Sequence, residues 1–265
     1  MVFKISKRFF AALTLLVLLF ALGACQLKPA RQFNLKPARQ TVRGSGAISS
    51  ETDINAHMRG QEWALRIDDI YLTFGNSGTG QLIVDETFEF AGKLETDTNL
   101  GLRLNYNLNR KEIILRGDKN KIYFPTQLII KIGVPVNRLI INGALNIEYN
   151  CPGMSDFTMD INGAAKGDFI FGSLNSLNIN LNGTSSIKMR GAAKHAAVTL
   201  NGASNVAAFD LLAEAAKVTI NGASKCEITA SKTLDATVNG LGSIIYDGSP
   251  QVIKAIHGLG EVRKR

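Results

Sequence analysis

The stretches Thr199-Leu200-Asn201-Gly202-Ala203-Ser204 and Thr219-Ile220-Asn221-Gly222-Ala223-Ser224 are two copies of one unit, 20 residues apart. The Asn-Gly pair of this unit occurs six times at intervals of 18 to 20 residues, and an altered seventh copy stands at His257-Gly258. The six asparagines are Asn142, Asn162, Asn182, Asn201, Asn221 and Asn239. Self-similarity at a fixed period indicates a repeat architecture in which each copy forms one structural unit.

Residues on both sides of each Asn-Gly pair alternate between apolar and polar. The positions one and three before the Asn are apolar, as in Leu139 and Ile141, whereas the position between them is mostly polar. Apolar residues recur five and seven positions after most of the asparagines, as in Ile147 and Tyr149. This alternation predicts two short strands per repeat, each with one buried face.

Two architectures are compatible with these strands. Asn-Gly favours a type I′ hairpin turn, which would give an antiparallel meander. A meander needs a second turn signal in every period, however, and the other connections are dissimilar. In a parallel solenoid equivalent residues stack, so the six asparagines would form a ladder of amide hydrogen bonds. We therefore expect an all-β fold: a parallel β-solenoid (β-helix) over residues 139–262, with about seven coils of 18–20 residues each.

The first 25 residues have the features of an export signal. Three basic residues precede an apolar run, residues 9–22, that is too short for a comfortable membrane span. The run ends in Leu22-Gly23-Ala24-Cys25, which looks like a bacterial lipobox. We expect residues 1–25 to be a lipoprotein signal peptide and Cys25 to carry the lipid that anchors the protein to a membrane. The alternative is an ordinary signal peptide that happens to contain a cysteine.

The residue after the lipobox cysteine indicates whether a lipoprotein stays in the inner membrane or reaches the outer membrane. In Gram-negative lipoproteins an Asp at this place is the usual signal for retention in the inner membrane. This chain has Gln26 there, which resembles the outer-membrane class.

Residues 26–43 have the composition of a tether. The hexapeptide Leu-Lys-Pro-Ala-Arg-Gln occurs twice in this stretch, which contains five basic residues and no acid. We expect an extended linker, which either lies on anionic head groups or is simply solvated. The eight Lys and Arg of residues 1–43 account for the whole net charge of +8, so residues 44–265 are neutral overall. The basic pI therefore gives no reason to expect nucleic-acid binding.

Residues 44–138 are strand-like but lack a clean repeat. Within them, residues 64–72 resemble a coil in which Asn-Gly has become Asp-Asp. We expect this part to form an irregular β half that caps and continues the solenoid, because an open coil end presents unpaired backbone groups.

Two further cysteines, Cys151 and Cys226, lie four repeats apart. Four coils correspond to about 19 Å, whereas a disulfide needs Cα atoms within about 7 Å. We therefore expect no bridge, and interpret Cys226 as a small core residue.

Few residues of this sequence are candidates for a catalytic, metal or binding site. The chain has three histidines, none with a cysteine or acid at ligand spacing, so we expect no metal site and no cofactor. Asp160 and Asp168 fall on neighbouring outward positions, with Asp156 close by, and sugar hydrolysis needs two carboxylates about 5–10 Å apart. The interpretation that we favour for these aspartates is solvated surface charge. The outward polar columns could instead form a glycan-binding face or be ordinary solvent-facing positions; they contain Asn178, Asn180, Thr199, Thr219 and Thr237.

The lipobox, the Gly44-Ser45-Gly46 motif and the repeated Ile/Leu-Asn-Gly-Ala-Ser resemble the auto-transporter adhesin head, or GIN-domain, family. The resemblance covers residues 44–262, although many members carry Ser-Gly where this chain has Asn-Gly. It implies a β-solenoid envelope protein and supplies no catalytic residues.

The expected function is therefore non-catalytic. We expect a lipid-anchored protein of the cell envelope, at the outer membrane, that acts as an adhesin or scaffold and binds a glycan or an envelope protein. A carbohydrate-active enzyme and a purely structural protein without a ligand are the alternatives. The oligomeric state is left open by the sequence.

Overall fold

The fold was analysed in a computed structural model, which describes residues 40–53, 58, 60–68, 70–74 and 79–265. Cys25 and the predicted signal peptide lie outside these residues. The described secondary structure is almost entirely β, and a 3-10 turn lies at Thr98–Leu100. The strands are β1 (Gln40–Arg43), β2 (Ile48–Asp53), β3 (Trp63–Ile67), β4 (Tyr71–Leu72), β5 (Thr79–Asp85), β6 (Gly92–Asp97), β7 (Arg103–Asn107), β8 (Glu112–Arg116), β9 (Lys121–Phe124), β10 (Gln127–Ile132), β11 (Val136–Cys151), β12 (Asp156–Gly183), β13 (Ser186–Gly202), β14 (Asn205–Gly222), β15 (Lys225–Gly240), β16 (Ser243–Gly248), β17 (Gln251–Gly258) and β18 (Glu261–Lys264).

Strands β11 to β15 stack in parallel, each on the strand before it in the chain. The register aligns Asn201 with Asn221, Asn221 with Asn239, and Asn239 with His257. This winding confirms the parallel β-solenoid and excludes the antiparallel meander. The solenoid has about six turns instead of seven. The count is lower because only the four-residue strand β18 follows the His257-Gly258 copy.

Each turn has two long sides, which meet at the Asn-Gly corner. We call the side built from the segments that end at each Asn (residues 138–142 and their counterparts) the Asn side. The segments that follow each Asn-Gly (residues 146–150 and their counterparts) form the groove side. Apolar residues of both sides point between them and form one continuous buried core.

The strands of residues 44–138 extend both sides. On the Asn side β3 pairs in parallel with β11, and Ile67 aligns with Ile141, so Asp68 takes the place of Asn142. On the groove side β5 and β10 continue the parallel pairing. Beyond them β2, β6 and β7 pair antiparallel, which ends the regular winding. A separate small sheet has the order β1-β9-β4.

The predicted linker overlaps with this small sheet. Residues Gln40–Arg43, which the sequence analysis assigns to the tether, form β1 and pair in parallel with β9. Three of the four side chains of β1 are exposed, whereas Val42 packs against the core and Arg43 lies over the ring of Phe124. Composition did not indicate this strand, because its pairing partner is 81 positions away in the chain.

Aromatic rings fill the core beneath the first coils. Tyr149, Phe157, Phe169 and Phe171 are all buried, with ring centroids between 4.7 and 6.1 Å apart. The Tyr149 hydroxyl donates a hydrogen bond to the carbonyl oxygen of Val136 at 2.6 Å, which satisfies its polar atom. Burial raises the pKa of Tyr149 far above its ordinary value. The ring cluster thus acts as apolar volume that sets the width of these turns.

Cys151 and Cys226 are free and buried. Burial raises the pKa of the Cys151 thiol to about 11 and that of Cys226 to about 12. Both thiols therefore stay protonated near neutral pH and pack as small apolar groups.

Candidate functional site

The six asparagines form a ladder along the solenoid. The side-chain Nδ2 of each later Asn donates a hydrogen bond to the Oδ1 of the preceding one, at 2.6 to 2.8 Å. At the first rung, the Nδ2 of Asn142 donates to the main-chain oxygen of Asp68 at 3.3 Å. These bonds lie at the surface, so each rung contributes only about 0.5–1.5 kcal/mol. The ladder is a structural element whose amides are engaged with one another.

A second ladder, of serines, runs inside the corner. The hydroxyl of Ser204 accepts a hydrogen bond from the main-chain N–H of Ser185 at 3.1 Å. The hydroxyl of Ser224 accepts from the N–H of Ser204 at 2.9 Å and donates to the carbonyl oxygen of Gly202 at 3.1 Å. All three serines are buried. Sequence reasoning missed this ladder, although serine recurs three positions after Asn in three successive repeats.

The predicted glycan-binding residues lie on the Asn side. The register aligns Asn180, Thr199, Thr219 and Thr237 in one column, whereas Asn178 stands in the next column beside Ala197. The four aligned residues are half-buried, and Asn178 is exposed. The Nδ2 of Asn180 already donates to Asp160 at 2.8 Å. The structure thus gathers four of the five residues into a polar strip, part of which is occupied by its own hydrogen bonds.

The groove side carries a larger concavity, of about 1010 Å³, across β5, β11, β12 and β13. Sequence reasoning missed it, because the outward columns read as a mixture of residue types. The lining combines amides, acids, bases and apolar side chains: Gln81, Ile83, Asp85, Asn146, Glu148, Asn150, Lys166, Asp168, Ile170, Ser186, Lys188 and Arg190. A second depression of about 570 Å³ follows the corner and shares Asn146, Lys166 and Ser186 with the first.

The acids at one end of the groove are held by neutral donors. The Nε2 of Gln81 donates to Glu148 at 2.9 Å, and the Nδ2 of Asn150 donates to Asp85 at 3.2 Å. Burial acts to raise the pKa of Asp85, but hydrogen bonds from Thr87 and Asn150 outweigh it and hold that pKa below its ordinary value. Asp85 therefore keeps its negative charge near neutral pH.

The bases lie at the other end, on β12 and β13. Arg190 donates to Asp168 at 2.9 Å, while Lys166 and Lys188 are exposed. The groove is therefore polarised along the solenoid axis, with Asp85 and Glu148 at one end and the cations at the other. Positively and negatively charged hydrogen-bonding groups around a partly apolar floor are typical of sites that orient a polar ligand.

The three aspartates considered for hydrolysis do not form one site. Asp160 lies on the Asn side within 3.8 Å of Arg138, whereas Asp168 lines the groove and pairs with Arg190. Asp156 accepts a hydrogen bond from the hydroxyl of Ser176 at 2.6 Å. The Asn162-Gly163 corner separates the first two, because each side of a turn presents its own outward residues.

Two further kinds of feature are absent from the described ranges. No three His, Cys, Asp or Glu side chains in those ranges are placed to hold a metal ion. In the same part of the chain, no helix has the length and hydrophobicity needed to span a bilayer.

Fold and groove together define a parallel β-solenoid with a polar surface cleft. The sequence matches the family described as "Putative auto-transporter adhesin, head GIN domain" over residues 75–250, and the chain belongs to this family. The family is described as an adhesin, which is a class of cell-surface or envelope protein. No curated protein sequence matches the chain.

Solved structures share the fold at low identity. A "putative adhesin" from Bacteroides fragilis is 17% identical, with a TM-score of 0.57 over 84% of this chain and 100% of that one. A "putative lipid binding protein" from Parabacteroides distasonis is 18% identical, with a TM-score of 0.53 over 85% of this chain and 100% of that one. A "putative adhesin" from Parabacteroides merdae is 17% identical, with a TM-score of 0.50 over 85% and 99%.

Proposed function

We propose that this protein is a lipid-anchored, non-catalytic adhesin or scaffold of the cell envelope that binds a glycan or an envelope protein through the groove. The observation that carries the proposal is the groove itself, which spans four neighbouring strands of the parallel sheet. Family membership supports the adhesin class. The aspartates on two different sides of the turn give no support to a hydrolase.

The groove suits an extended saccharide better than the Asn side does. Saccharide hydroxyls need both donors and acceptors, and the groove offers amides such as Asn146 together with acids and bases. Ile83 and Ile170 add apolar area against which a sugar ring can pack. On the Asn side, by contrast, the asparagine amides are already paired with each other.

The proposal is tested by binding to an immobilised panel of neutral, amino-sugar and uronic-acid oligosaccharides. The double variant Glu148→Ala/Lys188→Ala removes one exposed group from each end of the groove and should weaken binding roughly tenfold or more. The control Thr199→Val/Thr219→Val alters the polar strip on the Asn side and should bind like the wild type. Surface plasmon resonance measures both variants.

Three outcomes would contradict parts of this proposal. Loss of binding in the threonine variant alone would place the glycan on the Asn side. Absence of binding to every oligosaccharide would remove the glycan and leave an envelope protein as ligand. Release of reducing sugar from the panel would revive the enzyme alternative.

The membrane anchor has its own test. In a Gram-negative host, the wild-type protein should remain in the outer-membrane fraction after a high-salt wash, because acyl chains on Cys25 hold it there. Cys25→Ser should be released, as shown by an immunoblot of the fractions. Equal retention of the variant would show that Cys25 is not the anchor.

A further inference from the structure

The turn formed by β17 and β18 differs in charge from the rest of the fold. Residues 251–265 contain four basic residues and one acid, a net charge of +3. Residues 44–250 contain 18 Lys and Arg against 21 Asp and Glu, a net charge of −3. Positive charge is therefore concentrated in this turn, although residues 44–265 are neutral overall.

Exposed apolar side chains gather at the same place. Leu241, Ile253, Ile256 and Leu259 are 67%, 66%, 40% and 88% exposed, and they are four of the nine large apolar side chains exposed in the described residues. Leu241 and Leu259 each follow a corner glycine, at a position where earlier coils carry Ala or Thr. The last two corners thus replace small residues by projecting leucines.

On the far side of this turn, no strand of the described residues pairs with β17 or β18. Strand β17 pairs with β15 and β18 pairs with β16, and neither has a second partner in the described part of the chain. Lys254 aligns with Ala236 and Lys264 with Tyr246, in columns that are inward in earlier coils. Both lysines are exposed, and no ion pair within the described residues engages either of them. The two lysines therefore stand in inward columns of the last turn, and Ile256 follows Lys254 by two positions on the same face of β17.

We propose that this surface, the basic end (Leu241, Lys254, Ile256, Leu259 and Lys264), docks on an anionic phospholipid membrane. Projecting leucines enter the head-group region, while lysines are attracted to anionic lipids. Lysine on an edge strand also discourages aggregation, but edge protection gives no reason for adding two exposed leucines. A second copy is disfavoured, because two basic ends would bring like charges together.

The test uses the polypeptide of residues 26–265, which lacks the proposed lipidation site Cys25. This polypeptide contains the compact unit Arg39–Arg265. Partition is measured on vesicles of phosphatidylcholine alone and of phosphatidylcholine mixed with phosphatidylglycerol. The wild type should prefer the anionic vesicles and lose this preference at high salt. Lys254→Gln/Lys264→Gln should weaken that partition roughly tenfold or more, and Leu241→Ser/Leu259→Ser should weaken it several-fold.

Matched controls separate this surface from the basic linker, which all variants share. Lys217→Gln/Lys232→Gln removes two exposed lysines elsewhere, and Leu108→Ser/Leu212→Ser removes two exposed leucines. Both controls should partition like the wild type, with circular dichroism confirming the fold of every variant. Equal loss in controls and test variants overturns the proposal, as does wild-type partition that ignores lipid charge. A change in dimer fraction with unchanged partition would assign the surface to a second copy and also overturn it.

Discussion

Gly202→Ala should destabilise the fold by about 3–5 kcal/mol, because this corner accepts no side chain. Gly202 has φ +125°, a conformation that side-chain-bearing residues rarely adopt. A Cβ at this position would lie 2.5 Å from the carbonyl oxygen of Gly183 in the coil below. Neither backbone can move away, since hydrogen bonds on both sides of the corner hold the coils about 4.8 Å apart.

Urea unfolding measures this effect, with Gly153→Ala as the control. A Cβ on Gly153 would lie 3.6 Å from the nearest atom, a carboxylate oxygen of Glu86, at ordinary contact distance. The control should therefore change the free energy of unfolding by less than about 1 kcal/mol. If Gly202→Ala were as mild as the control, the corner would be adaptable and the glycine column would not be a steric requirement.

The second large effect is expected at Asp97, whose side chain binds the backbone at Gly46 and Thr126. This carboxylate is fully buried and accepts hydrogen bonds from the N–H of Gly46 at 2.7 Å and from the hydroxyl and N–H of Thr126 at 2.6 and 2.8 Å. A Cβ on Gly44 would lie 2.4 Å from the carboxyl carbon of Asp97, so the backbone of Gly44 passes very close to this carboxylate. In Asp97→Asn the side-chain NH2 group, which is a donor, would face these donors. The substitution should therefore lower the free energy of unfolding by about 2–4 kcal/mol.

The same carboxylate predicts a pH dependence. Burial acts to raise the pKa of Asp97, but the hydrogen bonds from Thr126, Gly46 and Gln127 outweigh it and lower that pKa. Because the pKa is lower in the folded state, its stabilising contribution is complete above the unfolded value of about 3.9 and is lost as pH falls through the folded pKa.

Unfolding midpoints of wild type and Asp97→Asn should therefore converge as pH falls from about 5 toward 2. Asp235→Asn, at a half-exposed carboxylate 3.8 Å from Lys217, is the control and should shift stability by about 0.5 kcal/mol or less at any pH. A constant difference between wild type and Asp97→Asn across this range would show that the carboxylate charge is not what holds Gly46 and Thr126.

The repeats were readable in the sequence because a solenoid uses the same environment many times. Ile220 and Val238 occupy one inward column, and Thr219 and Thr237 one outward column, so each repeat reports on the next. Residues 44–138 lack a clean repeat, so no position there could be compared with an equivalent position in another repeat. There the sequence predicted a coil-like pattern for residues 64–72, of which β3 pairs with the solenoid while β4 joins the small sheet. It did not predict the strand Gln40–Arg43, whose partner is distant in the chain.

The groove could not be predicted by comparing equivalent positions of the repeats. Its lining joins Asp85 on β5 to Asn150 on β11, residues that are 65 positions apart. Their adjacency depends on which strand stacks on the first coil of the solenoid, and no periodic signal carries that information. Asp97 was overlooked for a similar reason, since its donors Gly46 and Thr126 come from distant parts of the chain.

Period and alternation were enough to predict the parallel winding and the inward apolar columns, because both follow from local strand geometry repeated along the chain. The polarised groove and the Asp97 contacts, by contrast, became visible only in the tertiary structure. Each of these depends on which segments become neighbours across the fold, and burial and charge take their meaning only from those neighbours.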